Sequence, residues 1–514
     1  MALVQNFPFF SIILAMFAGI ISSVLSGRKA KWVNLGVISI ITVMSAMVLS
    51  FLWQSGESYT YMMGHFPAPW GNEIRAGVLE ALTALLFCIV MLLSIIGGMD
   101  HIFVDVESTK VNLFFVLVDL ILSSLLALIY TNDLFTAYVF IEINTIAGCG
   151  LIMIRQKGKA YTAAIRYMIM SQLGSGLFLI GLSLLYDVTG HLLMSNAKEA
   201  ITQIMADGAY TVPMLVIISV ISVGLAIKSG LYPFHSWIPD AYSTATPAAS
   251  AILSGLVSKG YIFLLIKLFY RVLGEQHIIA SHIVNVLFVF GLCGMIMGSV
   301  HAISETDTRR MIAYSSVAQI GYIYLGIGLG TTAGMTAALF HLLGHAATKA
   351  LLFVSSVGLY EVSGNKKDYL SLRGAGYRNR LAGIGFAIGA LSMVGLPMLS
   401  GFISKLLFAS AATLSPGKMI PTILALGVST VLNAVYFLRL VITLYSPAEQ
   451  GTASGSGPAA GSASGPASVI EGKPNASSWN FRIAVISFIA LNVVLGVFSQ
   501  PIVRAIEVGL AMFD

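Results

Sequence analysis

Four ionisable residues lie inside long apolar stretches of this sequence, where a charged side chain is costly to bury. Glu142 follows the run TAYVFI, and Lys259 lies about midway along a stretch that begins at Pro247. From such a position an ammonium group cannot reach the membrane surface, which is roughly 15 Å away. Buried charges of this kind usually face a cavity or a partner and mark an ion pathway. We therefore interpret Glu142, Lys228, Lys259 and Lys405 as residues that relay an ion.

A second set of candidates shares one helical face. His341, His345 and Lys349 are spaced i, i+4 and i+8, so a helix would align them. Two histidines at this spacing can bind zinc in the motif H-E-x-x-H, but here the residue after His341 is leucine. A role in a proton or water wire fits this face better than a zinc site. The alternative is that the two histidines only pack against neighbouring helices.

Two stretches combine glycine and proline with a lysine inside an apolar run. Residues 227–240 read IKSGLYPFHSWIPD, and residues 395–405 read GLPMLSGFISK. Proline removes a backbone donor and interrupts a helix, which a membrane tolerates only where protein or water pairs the freed groups. Two such breaks in corresponding positions are typical of a repeated transporter fold. His235 lies in the first break and is a candidate to link Lys228 to Lys259.

Two further acids lie inside or at the edge of apolar runs. Asp119 is predicted either to pair with Arg166 or to join a hydrogen-bond network, and function and structure are equally favoured for it. Glu80 is the other acid in such a position.

The elements that must position these residues are membrane helices. The chain has 514 residues, of which 57% are hydrophobic and 10% are charged, whereas soluble domains carry about 25% charged residues. About fourteen apolar runs are long enough to span a bilayer. Because an open sheet would leave backbone groups unpaired in lipid, we predict an all-α integral membrane fold.

Other chemistries find no support in the sequence. Cys88, Cys149 and Cys293 occur singly, so neither an iron–sulfur cluster nor a zinc site is predicted. A G-x-x-x-x-G-K-[ST] motif is missing, which excludes direct use of ATP. We expect no cofactor, no metal, and no redox or hydrolytic site on this chain.

The net charge of +6 reflects topology rather than a nucleic-acid partner. Basic clusters at residues 28–31, 155–159, 309–310 and 366–380 all fall on the same side when the spans are numbered from the N-terminus. The positive-inside rule places these clusters in the cytoplasm of a prokaryotic cell and both termini outside. The first span is expected to be retained rather than cleaved as a signal peptide.

The motifs around the two breaks resemble those of the antiporter-like subunits of the complex I superfamily. These subunits occur in respiratory complex I, in Mrp-type sodium/proton antiporters and in energy-converting membrane-bound hydrogenases. The resemblance rests on Lys228 with PFHSWIPDA at 233–241, TPAASA at 246–251, RRMIAYSSVAQ at 309–319, and residues 395–405.

The resemblance implies about fourteen transmembrane helices with two inverted five-helix repeats and two broken helices. Glu142, Lys228, Lys259 and Lys405 match the charged positions of the fifth, seventh, eighth and twelfth helices. The implied organisation is helices 1–3 at 1–111, the first repeat at 112–270, the second repeat at 279–444, a flexible cytoplasmic linker at 445–480 and helix 14 at 481–514.

The predicted function is translocation of protons, or exchange of sodium for protons, as a membrane subunit of a multisubunit complex. Residues 66–71 resemble Mrp-type and hydrogenase subunits more than complex I, whereas lysine at the position of Lys405 is similar to both Mrp-type and several complex I subunits. A complex I subunit and a stand-alone secondary transporter remain alternatives, as does a purely structural membrane subunit. Other membrane subunits, protons or sodium ions, and lipids are the expected partners.

Overall fold

A computed structural model describes residues 2–63, 66, 71–206, 210–447 and 478–513. Most of these residues are helical, since a helix pairs its own backbone groups without help from water. Shorter helices cover Ala2–Gln5, Ser108–Lys110, Glu275–Ala280 and Ala375–Arg378. Helices of eight or more residues are α1 Phe7–Val24, α2 Gly27–Ser55, α3 Val78–Asp105, α4 Val111–Tyr130, α5 Leu134–Met153, α6 Gly158–Thr189, α7 Met194–Ala206, α8 Thr211–Ser229, α9 Trp237–Thr244, α10 Pro247–Leu273, α11 Ile283–Ser304, α12 Thr308–Gly328, α13 Thr332–Glu361, α14 Arg380–Val394, α15 Ser400–Thr413, α16 Pro416–Leu444, α17 Trp479–Val497 and α18 Ser499–Ala511.

Twelve helices of the described chain are long and apolar enough to cross a membrane: α1 to α6, α8, α10, α11, α13, α16 and α17. This confirms the predicted all-α, multi-pass membrane fold. Helix α12 is also 21 residues long, and α14 with α15 would form one further span interrupted in the middle. The count of fourteen and the inverted repeats stay predictions.

Helices α10 and α13 form the centre of the molecule. The apolar window of each is fully buried inside the chain, whereas that of α1, α6, α16 and α17 is only 39% buried. A helix enclosed by protein on all sides can carry polar and charged groups, because these groups then face other helices instead of lipid. The two central helices therefore position the candidate charges.

Both predicted breaks are present. Helix α8 ends directly before Gly230, whose φ of +79° favours glycine, and the chain resumes as the short helix α9. Helix α14 ends directly before Gly395, with φ of +95°, and α15 begins at Ser400. Each break lies beside one of the candidate lysines.

The second break requires a glycine at position 401. A Cβ atom there would lie 1.7 Å from the carbonyl oxygen of Ser392, well inside van der Waals contact. We expect Gly401→Ala to displace α15, to lower the thermal unfolding temperature and to reduce ion transport at least fivefold, because overpacking costs about 1–3 kcal/mol. Gly417→Ala is the control, since a Cβ atom at Gly417 meets nothing within 4 Å. Equal behaviour of the two variants would contradict this account.

Three features were not predicted from the sequence. Strands Tyr59–Met62 (β1) and Glu73–Ala76 (β2) pair antiparallel as a hairpin, with Tyr59 opposite Ala76. The segment between the spans α6 and α8 is largely helical, because α6 continues to Thr189 and α7 follows it. Phe498 divides the predicted C-terminal helix into α17 and α18.

Two predicted features fall mainly outside the described residues. One is the motif at 66–71, of which 67–70 are not described, and the other is the linker at 445–480, of which 448–477 are not described.

Candidate functional site

Lys228 is fully buried near the end of α8. Its ammonium donates to Thr145 Oγ1 at 2.7 Å, to Ser175 Oγ at 2.6 Å and to the carbonyl oxygen of Ser171 at 3.3 Å. Helix α6 comes this close because it carries glycine where it crosses α8: a Cβ atom on Gly174 would lie 2.7 Å from Lys228 Cγ. These neutral partners hold the ammonium in place without neutralising its charge.

Glu142 lies on α5 beside this lysine but does not pair with it directly. One carboxylate oxygen accepts from Gln172 Nε2 at 3.1 Å, and the other, Oε1, is buried without a hydrogen-bond partner. The carboxylate interacts electrostatically with Lys228, although no ion pair within 4 Å joins them among the described residues. A modest movement of Glu142 would therefore change the charge environment of the lysine.

Lys259 is buried in the middle of α10. The residues just before it, Leu253–Val257, form a π-helical turn, a widened turn that is frequent at functional sites. Lys259 donates a short hydrogen bond to the carbonyl oxygen of Ser254 in that turn, and the Ser254 hydroxyl lies 3.0 Å from that of Ser316 on α12. The π-turn thus supplies the lysine with a backbone partner where no acid is available.

The predicted histidine face exists on α13. The rings of His341 and His345 stack with centroids 5.8 Å apart, and His341 Nδ1 lies 2.9 Å from Ser404 Oγ on α15. The other ring nitrogen of His341 and both of His345 are buried without a partner. Buried polar groups without a partner are rare in native proteins, and a role in proton transfer is one of the explanations for them. His345 also interacts electrostatically with Lys259 of α10, which brings this face of α13 within range of that lysine.

Lys349 and Lys405 complete the set on the second half of the chain. Lys349 is buried and donates to the Ile312 carbonyl oxygen at 2.9 Å and to Ser315 Oγ of α12. Lys405 is half-buried and donates to the Val394 carbonyl oxygen at 2.5 Å. Because Val394 is the last residue of α14, the helix break frees the carbonyl group that binds this lysine.

His235 and Asp119 are the remaining candidates from the sequence. His235 stacks on Tyr232, with ring centroids 5.1 Å apart, and its ring lies 6.0 Å from that of His301. Its role as a link between two lysines stays a prediction. Asp119 accepts from Asn34 Nδ2 at 2.6 Å, which confirms the hydrogen-bond network. The predicted pairing with Arg166 is wrong, because that arginine binds an aspartate on α9.

Sequence reasoning missed a second charged cluster, near the C-terminal end of α10. Lys267 is buried and donates to the carbonyl oxygens of Leu128, Ile129 and Thr131, which are the unpaired groups at the end of α4. Arg271 forms a buried ion pair with Glu80, which gives that acid a structural role. The available signal was spacing: Lys267 and Arg271 lie i+8 and i+12 from the lysine at 259, on the same face of α10.

Comparison with known proteins identifies the family. The transmembrane family named NADH:quinone oxidoreductase/Mrp antiporter matches residues 131–432, more than half of the chain. The chain belongs to this family. Its match begins directly after α4, extends to the middle of α16 and includes Glu142 and the candidate lysines and histidines, whereas Asp119 and Glu80 precede it.

Individual members of the family are similar in sequence to this chain over longer stretches. NADH-quinone oxidoreductase subunit N of Desulforudis audaxviator is 31% identical over 402 residues, which cover 78% of each chain. The mnhD2 protein of Staphylococcus aureus, named for an antiporter subunit, is 31% identical over 421 residues, which cover 81% of each chain. This chain is therefore an antiporter-like membrane subunit.

Solved structures of the same fold come from three kinds of complex. A chain of the archaeal membrane-bound sulfane sulfur reductase gives a TM-score of 0.83 at 24% identity, covering 100% of this chain and 98% of that one. A chain of the Mrp complex from Dietzia sp. DQ12-45-1b gives 0.84 at 22% identity with the same coverage. A chain of respiratory complex I from Thermus thermophilus gives 0.71 at 22% identity, covering 98% and 100%. At these identities the likeness shows the fold of this antiporter-family chain.

Proposed function

We propose that this chain conducts protons or sodium ions through the membrane part of a multisubunit complex, along a row of protonatable groups. The observation that carries the proposal is the set of lysines at 228, 259, 349 and 405, none of which forms an ion pair among the described residues. An isolated buried ammonium costs several kcal/mol. A chain that carries four on separate helices gains no stability from them, which favours a role in transport.

The proposed path runs from Lys228 to Lys259, then along His345 and His341 to Lys405. Residues with hydroxyl groups lie close to each of the first two lysines: the ring of Tyr261 lies 5.2 Å from Lys228 Nζ, and Ser258, next to Lys259 in α10, hydrogen-bonds with Tyr242 of α9 at 2.9 Å. Hydroxyl groups both donate and accept, so they can pass a proton without carrying a net charge. Lys349 would adjust the charge near the histidines.

Glu142 would act as the switch of this path. When its carboxylate approaches Lys228, the pair stabilises the ammonium, and the lysine keeps its proton. When the carboxylate moves away, the ammonium loses that stabilisation and its proton passes toward Lys259. In the structure Glu142 accepts a hydrogen bond from Gln172 instead of pairing with the lysine, so this conformation corresponds to the separated state.

The partner subunits and the orientation are also part of the proposal. The neighbours of known structure belong to multisubunit membrane complexes, which supports assembly with other membrane subunits. The basic clusters support a cytoplasmic position for the end of α5 and the start of α6, and termini outside the cell. The two repeats, at 112–270 and 279–444, would then conduct ions from opposite sides of the membrane.

Purification from native membranes in mild detergent tests the assembly, with the accompanying chains identified by mass spectrometry. Iron–sulfur or hydrogenase-type subunits would place this chain in a redox-driven pump, and small membrane subunits alone would place it in a cation/proton antiporter. The purified assembly in liposomes, with fluorescent reporters of pH and of sodium, identifies the ion. A single chain that transports a small solute would overturn the proposal.

A further inference from the structure

A pocket of about 640 Å³ opens at the end of the molecule where α5 ends and where α6 and α12 begin. Two acids line it, Asp240 of α9 and Asp307 before α12. Six basic residues surround them: Arg155, Lys157, Lys159, Arg166, Arg310 and Lys367. The excess of cations makes the pocket a place where a negatively charged group is favourable.

The acids of the pocket are already engaged. Asp240 accepts from Arg310 at 2.7 Å and from Arg166, while Asp307 caps α12 by accepting from backbone N–H groups. Lys157 and Lys159 form no ion pair within 4 Å in the part of the chain that is described. Positive charge at the rim therefore remains uncompensated.

Arg155 and the first residue of α6 also line this pocket. The Nε atom of Arg155 is buried without a hydrogen-bond partner, although another nitrogen of that side chain binds Asp105 at 2.9 Å. Helix α6, 32 residues long, begins at Gly158 in the pocket wall, and no side chain caps it. The free N–H groups and dipole of such a helix end favour an anion.

Lys367, in the loop between α13 and α14, also lies in an excess of positive charge. Burial and the nearby charge of Arg309 lower the pKa of Lys367 to about 8, and Arg155 acts in the same direction. Asp307 and Asp105 offset only part of this effect. A bound anion would supply the missing negative charge.

An apolar stripe begins at the rim of the pocket and runs along α6. Tyr161, Ile165, Ile169 and Leu173 are spaced four residues apart, so they share one face of the helix. They are between 42% and 63% exposed. A ligand with an anionic head and an apolar tail would satisfy the pocket and the stripe together, whereas a free phosphate ion would leave the stripe unused.

We propose that this pocket binds the phosphodiester head group of an anionic membrane lipid, with an acyl chain lying along the α6 stripe. Basic pockets between transmembrane helices on the cytoplasmic side are suited to such head groups. The lipid would connect α6 of the first half to α12 of the second half through the arginines that share Asp240. The site goes beyond the proposed ion path, and its test does not depend on transport.

The test is titration of the full-length protein, as isolated in mild detergent, with phosphatidylglycerol and with phosphatidylcholine, followed by native mass spectrometry. We expect the double variant Lys157→Gln/Lys159→Gln to weaken phosphatidylglycerol binding on the order of tenfold, given the roughly additive effect of each basic residue near an anionic head group. Arg28→Gln/Lys29→Gln is the matched control. The control removes the same charge at the same end of the molecule: Gly27, next to these residues, packs on Val111 at the start of α4, and α5 returns from the far end of α4 to this end. The control should change binding less than about twofold.

Photoreactive phosphatidylglycerol, labelled in its acyl chain, provides the second measurement and should mark Tyr161 or Ile165. An equal loss in both double variants, or labelling elsewhere, would overturn the site. Displacement of the lipid by millimolar inorganic phosphate at equal affinity would make it a phosphate site instead. Labelling that is blocked by an acidic segment of an accompanying subunit would assign the pocket to protein assembly and overturn the lipid.

Discussion

Lys228→Ala is expected to abolish ion translocation while leaving the protein folded. The variant removes the ammonium that binds Thr145 and Ser175, and both hydroxyl groups can then pair with backbone carbonyl groups or with water. Loss of a group that transfers protons typically lowers a rate on the order of 100-fold or more. Transport by the purified assembly in liposomes measures the effect, and size-exclusion chromatography measures assembly.

Two control variants separate the loss of a relay from the loss of a buried lysine. Lys267→Ala removes an equally buried ammonium that binds three carbonyl oxygens, so we expect it to lower stability more than transport per folded molecule. Lys110→Ala removes an exposed lysine paired with Glu107 and should change neither. Normal transport in folded Lys228→Ala would show that the row of lysines does not conduct.

Much of the fold was accessible from the sequence because membrane burial leaves few solutions. Apolar runs of spanning length predicted helices, and Gly230 and Gly395, each followed by proline within a few residues, located the two breaks. The hairpin β1–β2 and helix α7 were missed for a different reason. They lie between spans, where neither apolar length nor a repeated pattern distinguishes helix or strand from loop.

The candidate site was predicted in its charged members but not in its neutral partners. A lysine inside an apolar run is conspicuous, so Lys228 and Lys259 could be identified before the structure. Thr145 and Ser175 could not, because serine and threonine are common in membrane helices and these two lie far from Lys228 in sequence. The π-turn before Lys259 has no sequence signature either.

Asp119 shows why a charge in an apolar run identifies a buried polar group but not its partner. Its pairing with Arg166 was plausible from charge alone. In the structure Ser22 of α1 and Asn34 of α2 donate to the carboxylate instead. Which of several distant helices supplies the donor depends on packing, and packing is a property of the whole fold.

Glu142→Ala is expected to reduce translocation nearly as strongly as loss of the lysine, by on the order of 100-fold, because it removes the charge that would switch Lys228. Glu142→Asp keeps the charge on a shorter side chain and should retain part of the activity. Gln172→Ala removes the hydrogen-bond donor to the carboxylate in the separated state. It should change the rate less than about threefold, because at this exposed position water can replace the amide as donor. Liposome transport with this series, at equal amounts of assembled protein, gives the comparison.

Full activity in Glu142→Ala would remove the carboxylate from the mechanism and leave Lys228 to be controlled by hydration or by a neighbouring subunit. A loss in Gln172→Ala as large as in Glu142→Ala would instead mean that the hydrogen-bonded pair, rather than the movement of the carboxylate, is what the path requires.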